Sequence, residues 1–204
     1  MIGILNTGFG NINSIKNIYY EYQIPCTIVE GKNDIAGLSK IILPGIGSFD
    51  TLIEKINKME IVSELNNFVL YEKKPVLGIC IGMQIFFERS DEGKNKGFGW
   101  INGKIEKLDI KGVRLPHMGW NKVFNTKENP LFKNIKDGSS FYFLHSYANT
   151  YNEINCMDGT VFTNYGKKFV SAICQNNIFG VQFHPEKSHK NGIQLLLNFS
   201  KLND

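Results

Sequence analysis

The chain has 204 residues, of which 42% are hydrophobic and 21% are charged, and its formal net charge is +4. These values are typical of a folded globular protein, exclude a disordered or fibrous one, and suit a single domain over residues 1–204. No apolar run approaches the roughly 18 residues of a membrane span, and basic residues occur as scattered pairs, so we expect a cytoplasmic protein that binds neither membranes nor nucleic acid.

The first half of the sequence alternates short apolar runs with segments of helical periodicity. The pattern predicts strands over 2–5, 26–29, 41–43 and 76–80, and helices over 14–22, 48–58, 60–72 and 81–88. Such repeated β–α units predict an α/β fold with a parallel sheet and helices on both faces.

The second half is richer in short aromatic or β-branched runs. These predict strands over 141–144, 160–162, 169–173 and 179–183, added to the sheet in the C-terminal half of the chain. Apolar residues at helical spacing predict a closing helix over 190–202.

The four cysteines, Cys26, Cys80, Cys156 and Cys174, lie far apart, and no two of them form a Cys-x-x-Cys pair. Neither a zinc site nor a disulfide framework is predicted. Most thiols in a reducing compartment are small buried apolar groups, so a reactive cysteine requires a local reason. Only Cys80 has one.

Cys80 follows a buried-strand pattern and precedes a segment of helical periodicity. The pattern Gly78-x-Cys80-x-Gly82 has the form of a nucleophile elbow, in which small residues relieve crowding around a strained residue at a strand-to-helix turn. Free N–H groups at such a turn favour thiolate over thiol and can serve as oxyanion donors. The alternative is an ordinary buried cysteine beside packing glycines.

A predicted strand near the C-terminus runs directly into His184-Pro185-Glu186. In an extended segment residues i and i+2 face the same side, so the carboxylate of Glu186 is expected to meet one nitrogen of His184 and leave the other for sulfur. A nucleophile, a base and a group that orients the base are what cysteine–histidine catalysis requires. Taken alone, His184 would more often be a structural residue.

Several motifs together resemble class I glutamine amidotransferases, with the greatest likeness to the glutaminase subunits of imidazole glycerol phosphate synthase. The motifs, in chain order, are Pro44-Gly45-Ile46-Gly47-Ser48-Phe49, Gly78-Ile79-Cys80-Ile81-Gly82-Met83-Gln84, Pro116-His117-Met118-Gly119-Trp120-Asn121, Phe143-Leu144-His145-Ser146-Tyr147 and His184-Pro185-Glu186-Lys187-Ser188. The resemblance spans almost the whole chain and implies a flavodoxin-like fold.

The resemblance also implies roles for individual residues. It makes Cys80 the nucleophile, His184 the acid and base, and Glu186 the group that orients His184. It assigns the oxyanion hole to the backbone of Gly45, Ile46 and Ile81, and the binding of L-glutamine to Gly47, Gln84, Ser146 and Tyr147. No cofactor is implied. His117 and His145 have no carboxylate or cysteine at ligand spacing, so no metal is predicted.

The partner that the resemblance implies is a (β/α)8-barrel cyclase subunit, which would use the ammonia to make imidazole glycerol phosphate and an aminoimidazole carboxamide ribotide in histidine biosynthesis. Pro116, His117, Met118, Trp120 and Lys187 resemble the surface that faces this subunit, and an exposed cluster of this kind suits an interface. Without the resemblance, Met118 and Trp120 would be equally good core residues.

One loop departs from the family pattern, since Asn6-Thr7 replaces the usual Asp-Tyr before Gly8-Phe9-Gly10-Asn11. This change leaves open a related glutaminase that supplies ammonia to a synthase of surface-polysaccharide sugars. Two other classes also remain, a cysteine peptidase or deglycase of related fold and a catalytically silent module that regulates a synthase. The loop lacks the third glycine of a dinucleotide-binding motif.

Overall fold

The computed structural model describes residues 1–108, 110, 112–150 and 159–202. Cys156 lies outside the described residues. The strands, in chain order, are β1 (Ile2–Leu5), β2 (Cys26–Val29), β3 (Lys40–Gly45), β4 (Val76–Cys80), β5 (Arg89–Ser90), β6 (Lys104–Lys107), β7 (His117–Lys122), β8 (Ser140–His145), β9 (Tyr147–Ala148), β10 (Val161–Tyr165), β11 (Lys167–Gln175) and β12 (Ile178–Val181). The α-helices are α1 (Ile12–Glu21), α2 (Phe49–Lys58), α3 (Val62–Asn66), α4 (Ile81–Gln84) and α5 (His189–Ser200).

The main sheet has the strand order β10-β11-β12-β4-β3-β1-β2. Its five strands β12, β4, β3, β1 and β2 are parallel, and β11 and β10 continue it in antiparallel fashion. A smaller sheet joins β5, β6 and β9, and β7 pairs with β8. The predicted α/β fold, with a mostly parallel sheet and antiparallel strands from the C-terminal half, is confirmed.

Four of the five parallel strands are buried on both faces of the sheet, and only the edge strand β2 is partly exposed. Every residue of β1, β3, β4 and β12 is buried. Because successive side chains point to opposite faces, complete burial requires packing on both sides. This explains why these strands read as continuous apolar runs in the sequence.

Helix α2 shows how the sequence specifies one of the covering elements. Its buried face consists of Phe49, Leu52, Ile53 and Ile56, which recur at helical spacing. The hydroxyl of Ser48 accepts a hydrogen bond from Thr51 N, so an otherwise unpaired N–H is satisfied at the start of the helix. Helices α1 and α5 are also joined, since the Tyr19 hydroxyl donates to Leu196 O at 3.1 Å.

Two predicted helices differ from the structure. The helix predicted over 60–72 is α3 followed by a π-helical turn over Asn67–Tyr71. The helix predicted over 81–88 ends at Gln84. The carbonyls that would accept the next helical hydrogen bonds accept hydrogen bonds from loop amides instead. Phe98 N donates to Ile85 O at 2.7 Å, and Ile101 N donates to Phe86 O at 3.0 Å.

Candidate active site

The sequence motifs meet at the carboxyl ends of three neighbouring strands, β3, β4 and β12. Gly45, the last residue of β3, is paired with Cys80, the last residue of β4. Strand β12 pairs with the other side of β4 and leads, after Gln182 and Phe183, to His184. Parallel strands share one direction, so their carboxyl ends lie at one edge of the sheet, where open α/β sheets bind ligands.

Cys80 has the strained backbone of a nucleophile elbow, with a φ of 55° and a ψ of −113°. A non-glycine residue in this region is held there by its surroundings. A Cβ atom on Gly82 would lie 1.8 Å from Leu43 O, and one on Gly78 would lie 2.5 Å from Gly82 O. The two glycines therefore allow the close backbone approach that forms the turn.

His184 and Glu186 form a buried pair beside Cys80. Nδ1 of His184 lies 3.0 Å from Oε1 of Glu186, and the two side chains are 2% and 3% exposed. The predicted contact between the two side chains is present, but the extended backbone assumed for it is wrong. Residues Pro185–Lys187 form a 3₁₀ turn, in which Ser188 Oγ donates to His184 O at 2.6 Å.

The charge of this site favours the imidazolium form of His184. Burial alone would lower its pKa, but the charge and contact of Cys80 and then the Glu186 carboxylate raise the pKa to about 10. Nε2 of His184 is buried and makes no hydrogen bond of ordinary geometry with the described residues. The imidazole thus has one nitrogen fixed by Glu186 and one available on the Cys80 side.

The short helix α4 changes the expected source of thiolate stabilisation. The sequence predicted a helix of about two turns starting after Cys80, whereas α4 has four residues. A single turn supplies little macrodipole, because the effect depends on aligned peptide units. The cation of His184 is therefore the larger stabilising charge beside the sulfur.

A cavity of about 200 Å³ opens at Cys80. The predicted glutamine-binding residues Gly47, Gln84, Ser146 and Tyr147 all lie on its wall, together with Ile46 and Ile81 of the predicted oxyanion hole. The other lining residues are Cys80, Glu92, Pro116, Leu144 and His145. The structure therefore brings together segments that are separated by more than a hundred residues in the sequence.

Gln84 is the most completely constrained polar side chain of this cavity. It is fully buried, and its Nε2 donates to Tyr147 O at 3.0 Å and to Gln182 Oε1 at 2.9 Å. Its Oε1 has no hydrogen-bond partner among the described residues. A buried acceptor without a donor is costly, so the orientation of this side chain is set by the two bonds of its Nε2.

A model of the glutamine amidotransferase class-I family matches residues 4–202, which include every side chain of this cavity. The chain belongs to this family. It is 42% identical to the imidazole glycerol phosphate synthase subunit HisH of Leptospira interrogans, over 99% of this chain and 100% of the relative. It is 43% identical to the protein of the same name from Pyrococcus furiosus, over 98% of each chain.

A solved structure supports the fold of this amidotransferase. The structure of PurLQS from Thermotoga maritima matches with a TM-score of 0.72, and the match covers 97% of this chain and 96% of the other. The two sequences are 14% identical. At that level the likeness concerns the fold alone.

The amidotransferase has one further cavity residue that the sequence did not single out. Glu92 lines the cavity, and its Oε2 accepts a hydrogen bond from Phe49 N at 2.8 Å. Burial raises the pKa of its carboxyl group, while the bond from Phe49 lowers it and the nearby Asp50 raises it. Glu92 lies in a loop and belongs to no motif. Its acidic side chain is the only sequence feature that could have suggested a role in binding, and its position beside α2 is seen only in the structure.

The predicted interface residues are divided between the surface and the interior of the amidotransferase. Met118 is 61% exposed and Trp120 is 49% exposed, and Pro116 and Lys187 are also exposed. We call Pro116, Met118, Trp120 and Lys187 the exposed patch. The expectation that His117 belongs to an exposed cluster is wrong, because this side chain is only 2% exposed.

His117 lies beneath the exposed patch and pairs with His145. His117 Nδ1 lies 3.1 Å from His145 Nε2, and His145 Nδ1 lies 2.9 Å from Tyr147 O. A carbonyl can only accept, so His145 carries its proton on Nδ1 and accepts from His117. Among the described residues, no group of three or more His, Cys, Asp or Glu side chains is placed to hold a metal ion.

The α-helices among the described residues have 4 to 12 residues. None of them is both long and apolar enough to span a membrane.

Proposed function

We propose that this amidotransferase hydrolyses L-glutamine to L-glutamate and ammonia, with Cys80 as nucleophile, His184 as acid and base, and Glu186 as the group that orients His184. One observation carries the proposal most strongly. Nδ1 of the buried His184 lies 3.0 Å from Oε1 of Glu186, and the same imidazole lies beside Cys80, whose φ is 55°. At neutral pH this arrangement favours a thiolate–imidazolium pair.

In the first step the Cys80 thiolate attacks the side-chain amide carbon of glutamine. A tetrahedral oxyanion forms, and its collapse breaks the C–N bond while His184 donates its Nε2 proton to the leaving nitrogen. Ammonia leaves, and a glutamyl thioester on Cys80 remains. Glu186 keeps Nδ1 of the imidazole fixed, so the donating nitrogen stays aimed at the reacting atoms.

In the second step a water molecule attacks the thioester carbonyl. Neutral His184 accepts a proton from the water, the C–S bond breaks, and glutamate is released. The thiolate is regenerated beside the imidazolium. No electron donor or acceptor takes part, so the cycle closes with the side chains of the chain itself.

Backbone N–H groups of Gly45, Ile46 and Ile81 are the proposed oxyanion donors. Ile81 follows the nucleophile directly, and Gly45 is the register partner of Cys80 on the neighbouring strand. Ile46 lines the cavity. Donors at the end of β3 and at the start of α4 would stabilise the oxyanion as its charge develops. Such stabilisation lowers the activation barrier of acyl transfer substantially.

The polar wall of the cavity fits the amino-acid end of glutamine. We assign the α-ammonium group to the carboxylate of Glu92. Gly47, Ser146 and Tyr147 line the rest of the wall and would hold the α-carboxylate and the side chain. A charged carboxylate paired with an ammonium group gives a stronger bond than a neutral pair.

We further propose that the ammonia is delivered to a (β/α)8-barrel cyclase subunit of imidazole glycerol phosphate synthase, in the histidine pathway of the cytoplasm. The full-length relatives from Leptospira interrogans and Pyrococcus furiosus carry the name of a subunit of that synthase. The exposed patch supports a subunit interface, because a half-exposed tryptophan and an exposed methionine are typical of interface cores. These names favour the histidine pathway over the synthesis of surface sugars.

The test uses the complex of this chain with the candidate cyclase. The Cys80→Ala variant is expected to lose glutamine-dependent product formation by at least about a thousandfold and to retain turnover with ammonium salts, since the cyclase is intact. Cys26→Ala, at a half-buried free cysteine outside the cavity, is the matched control.

Three outcomes would contradict the proposal. Unchanged glutamine with the wild-type complex would favour a silent binding module. Loss of both activities by an intact Cys80→Ala complex would contradict the division of labour between the subunits. Cleavage of peptides in preference to glutamine would favour a cysteine peptidase.

A further inference from the structure

The sulfur of Cys80 has a second polar neighbour besides His184. Nε2 of Gln182 lies 3.6 Å from Cys80 Sγ, and Gln182 is completely buried. The contact is within the range of a hydrogen bond to sulfur. Gln182 takes no part in the steps proposed above.

The orientation of the Gln182 carboxamide is fixed by a chain of hydrogen bonds that ends at a backbone carbonyl. Tyr147 O can only accept, so the Gln84 atom at 3.0 Å is the donor Nε2. The same Nε2 lies 2.9 Å from Gln182, and the Gln182 atom there must therefore be the acceptor Oε1. The NH₂ group of Gln182 is left facing the sulfur.

The direction of this contact matters for the charge on sulfur. A thiolate accepts hydrogen bonds and cannot donate them. The other close polar atom at Sγ is Leu144 O at 3.8 Å, which can only accept and so suits the thiol. Gln182 thus favours the charged form of Cys80, whereas Leu144 O favours the neutral form.

The backbone holds Gln182 and His184 as one unit. Gln182 N donates to Ser171 O at 2.9 Å, and His184 N donates to Tyr142 O at 2.8 Å. Phe183, between them, is buried and stacks on Phe141 at 4.1 Å. The segment that supplies the base therefore also supplies the amide donor.

We propose that Gln182 is a positioning residue that holds the Cys80 thiolate through its Nε2–H, with its own orientation set by Gln84. This proposal deepens the proposed glutaminase function and rests on it. Because Gln84 also lines the substrate cavity, the same amide chain joins the wall that would receive glutamine to the sulfur that would attack it.

The experiment measures the rate at which iodoacetamide alkylates Cys80 between pH 5 and 10, in the free chain and without glutamine. Mass spectrometry of the Cys80 peptide separates this thiol from the other three. Gln182→Met keeps a similar volume and removes the donor, and Gln182→Glu keeps the shape and the acceptor facing Gln84. Gln194→Met is the control, since this partly buried glutamine donates to Asn198 Oδ1 on helix α5.

For Gln182→Met we expect the midpoint of the alkylation profile to rise by about one pH unit, which is about tenfold less thiolate below the midpoint. Gln182→Glu should shift it further, because the added carboxylate repels the thiolate. In the complex, kcat for glutamine should fall about tenfold with a smaller change in KM. Gln194→Met should leave the midpoint of the alkylation profile and the kcat for glutamine unchanged.

An unchanged alkylation profile for Gln182→Met would overturn the proposal. So would a shift of equal size in Gln194→Met, since that would indicate a general effect of losing a glutamine. If Gln182→Met does not fold, Gln182→Leu, which also removes the donor without adding a charge, replaces it in the same assay. The alkylation assay needs no glutamine turnover, so failure of the glutaminase function would be seen separately, as an inactive wild-type complex.

Discussion

Nδ1 of His184 lies 3.0 Å from Oε1 of Glu186, and neither side chain is more than 3% exposed. A carboxylate in this position holds the imidazole in one orientation and stabilises its charged form. The bond to Glu186 and the charge of Glu186 are both among the causes that raise the pKa of His184. The pair therefore controls both the direction and the protonation of the proposed acid and base.

Glu186→Gln tests this relationship with little change in shape. The amide oxygen can still accept from Nδ1, but the negative charge is lost, so the pKa of His184 should fall. We expect kcat for glutamine to drop about 10- to 100-fold in the complex, with ammonium-dependent turnover unchanged. Glu72→Gln is the control, since Glu72 pairs with Lys74 at the surface. Full activity of Glu186→Gln would remove Glu186 from the mechanism.

Glu92→Gln tests the proposed contact with the α-ammonium group of the substrate. The variant can still accept from Phe49 N, so the start of α2 should be preserved. Loss of the charge should raise KM for glutamine about 10- to 100-fold with a smaller change in kcat. Glutaramate, which lacks the α-amino group, should be used equally poorly by both proteins. If Glu92→Gln prefers glutamine over glutaramate by the same factor as the wild type does, the assignment is contradicted.

The sequence predicted the parallel sheet and the meeting of Cys80, His184 and Glu186, because these depend on local patterns. Continuous apolar runs specify strands buried on both faces, and residues at the carboxyl ends of adjacent parallel strands share one edge. The exact partners on that edge depend on packing between distant segments. This is why Glu92 and Gln182, which belong to none of the motifs recognised in the sequence, were not predicted.

The errors have the same origin. Residues 81–87 are apolar apart from Gln84 and suit a helix, but all of them are buried, and loop amides donate to the carbonyls of Ile85 and Phe86. His117 is polar and lies beside exposed residues, yet its ring stacks on Tyr165 at 3.9 Å beneath the surface. Tertiary contacts decided both cases, and local spacing does not record them.

Gly82→Ala tests the close backbone approach at the nucleophile elbow. The new Cβ would lie 1.8 Å from Leu43 O, so the backbone of β3 or α4 must move. We expect a loss of about 2 to 4 kcal/mol in the free energy of unfolding, measured in urea, and a large loss of glutaminase activity. Gly31→Ala is the control, because Gly31 has an extended backbone and nothing within 4 Å of the added Cβ. Equal stability of both variants would show that the elbow relaxes without cost.

Trp120→Ala tests whether the exposed patch binds the partner subunit. The indole is 49% exposed and stacks on His189 at 5.1 Å, so its removal should leave the fold of the free chain intact. We expect the Kd of the complex with the cyclase, measured by calorimetry, to rise about 10- to 100-fold. Tyr20→Ala is the control, because Tyr20 is 81% exposed near the end of α1 and does not belong to the exposed patch. Equal effects of the two variants would contradict the interface.

The buried pair His117 and His145 predicts how stability depends on pH. Burial lowers the pKa of His117 to about 4, and burial together with the charge of His117 lowers that of His145 to about 3. Both values lie below the value of about 6.5 in the unfolded chain, so the unfolded state binds more protons between these limits. The free energy of unfolding should therefore fall as pH falls from about 6.5 towards 4, and these two residues should add nothing to its pH dependence above pH 7.

Replacing both histidines isolates this contribution from that of the carboxylates. Between pH 7 and pH 4, His117→Gln/His145→Gln should lose less stability than the wild type, by on the order of 2 to 4 kcal/mol in urea unfolding. The double variant starts from a lower value at pH 7, because the ring contacts of His117 with Tyr165 and Phe143 are lost. His189→Gln, at the surface, should have the wild-type slope. Parallel curves for the wild type and the double variant would mean that the two imidazoles accept protons without opening the structure.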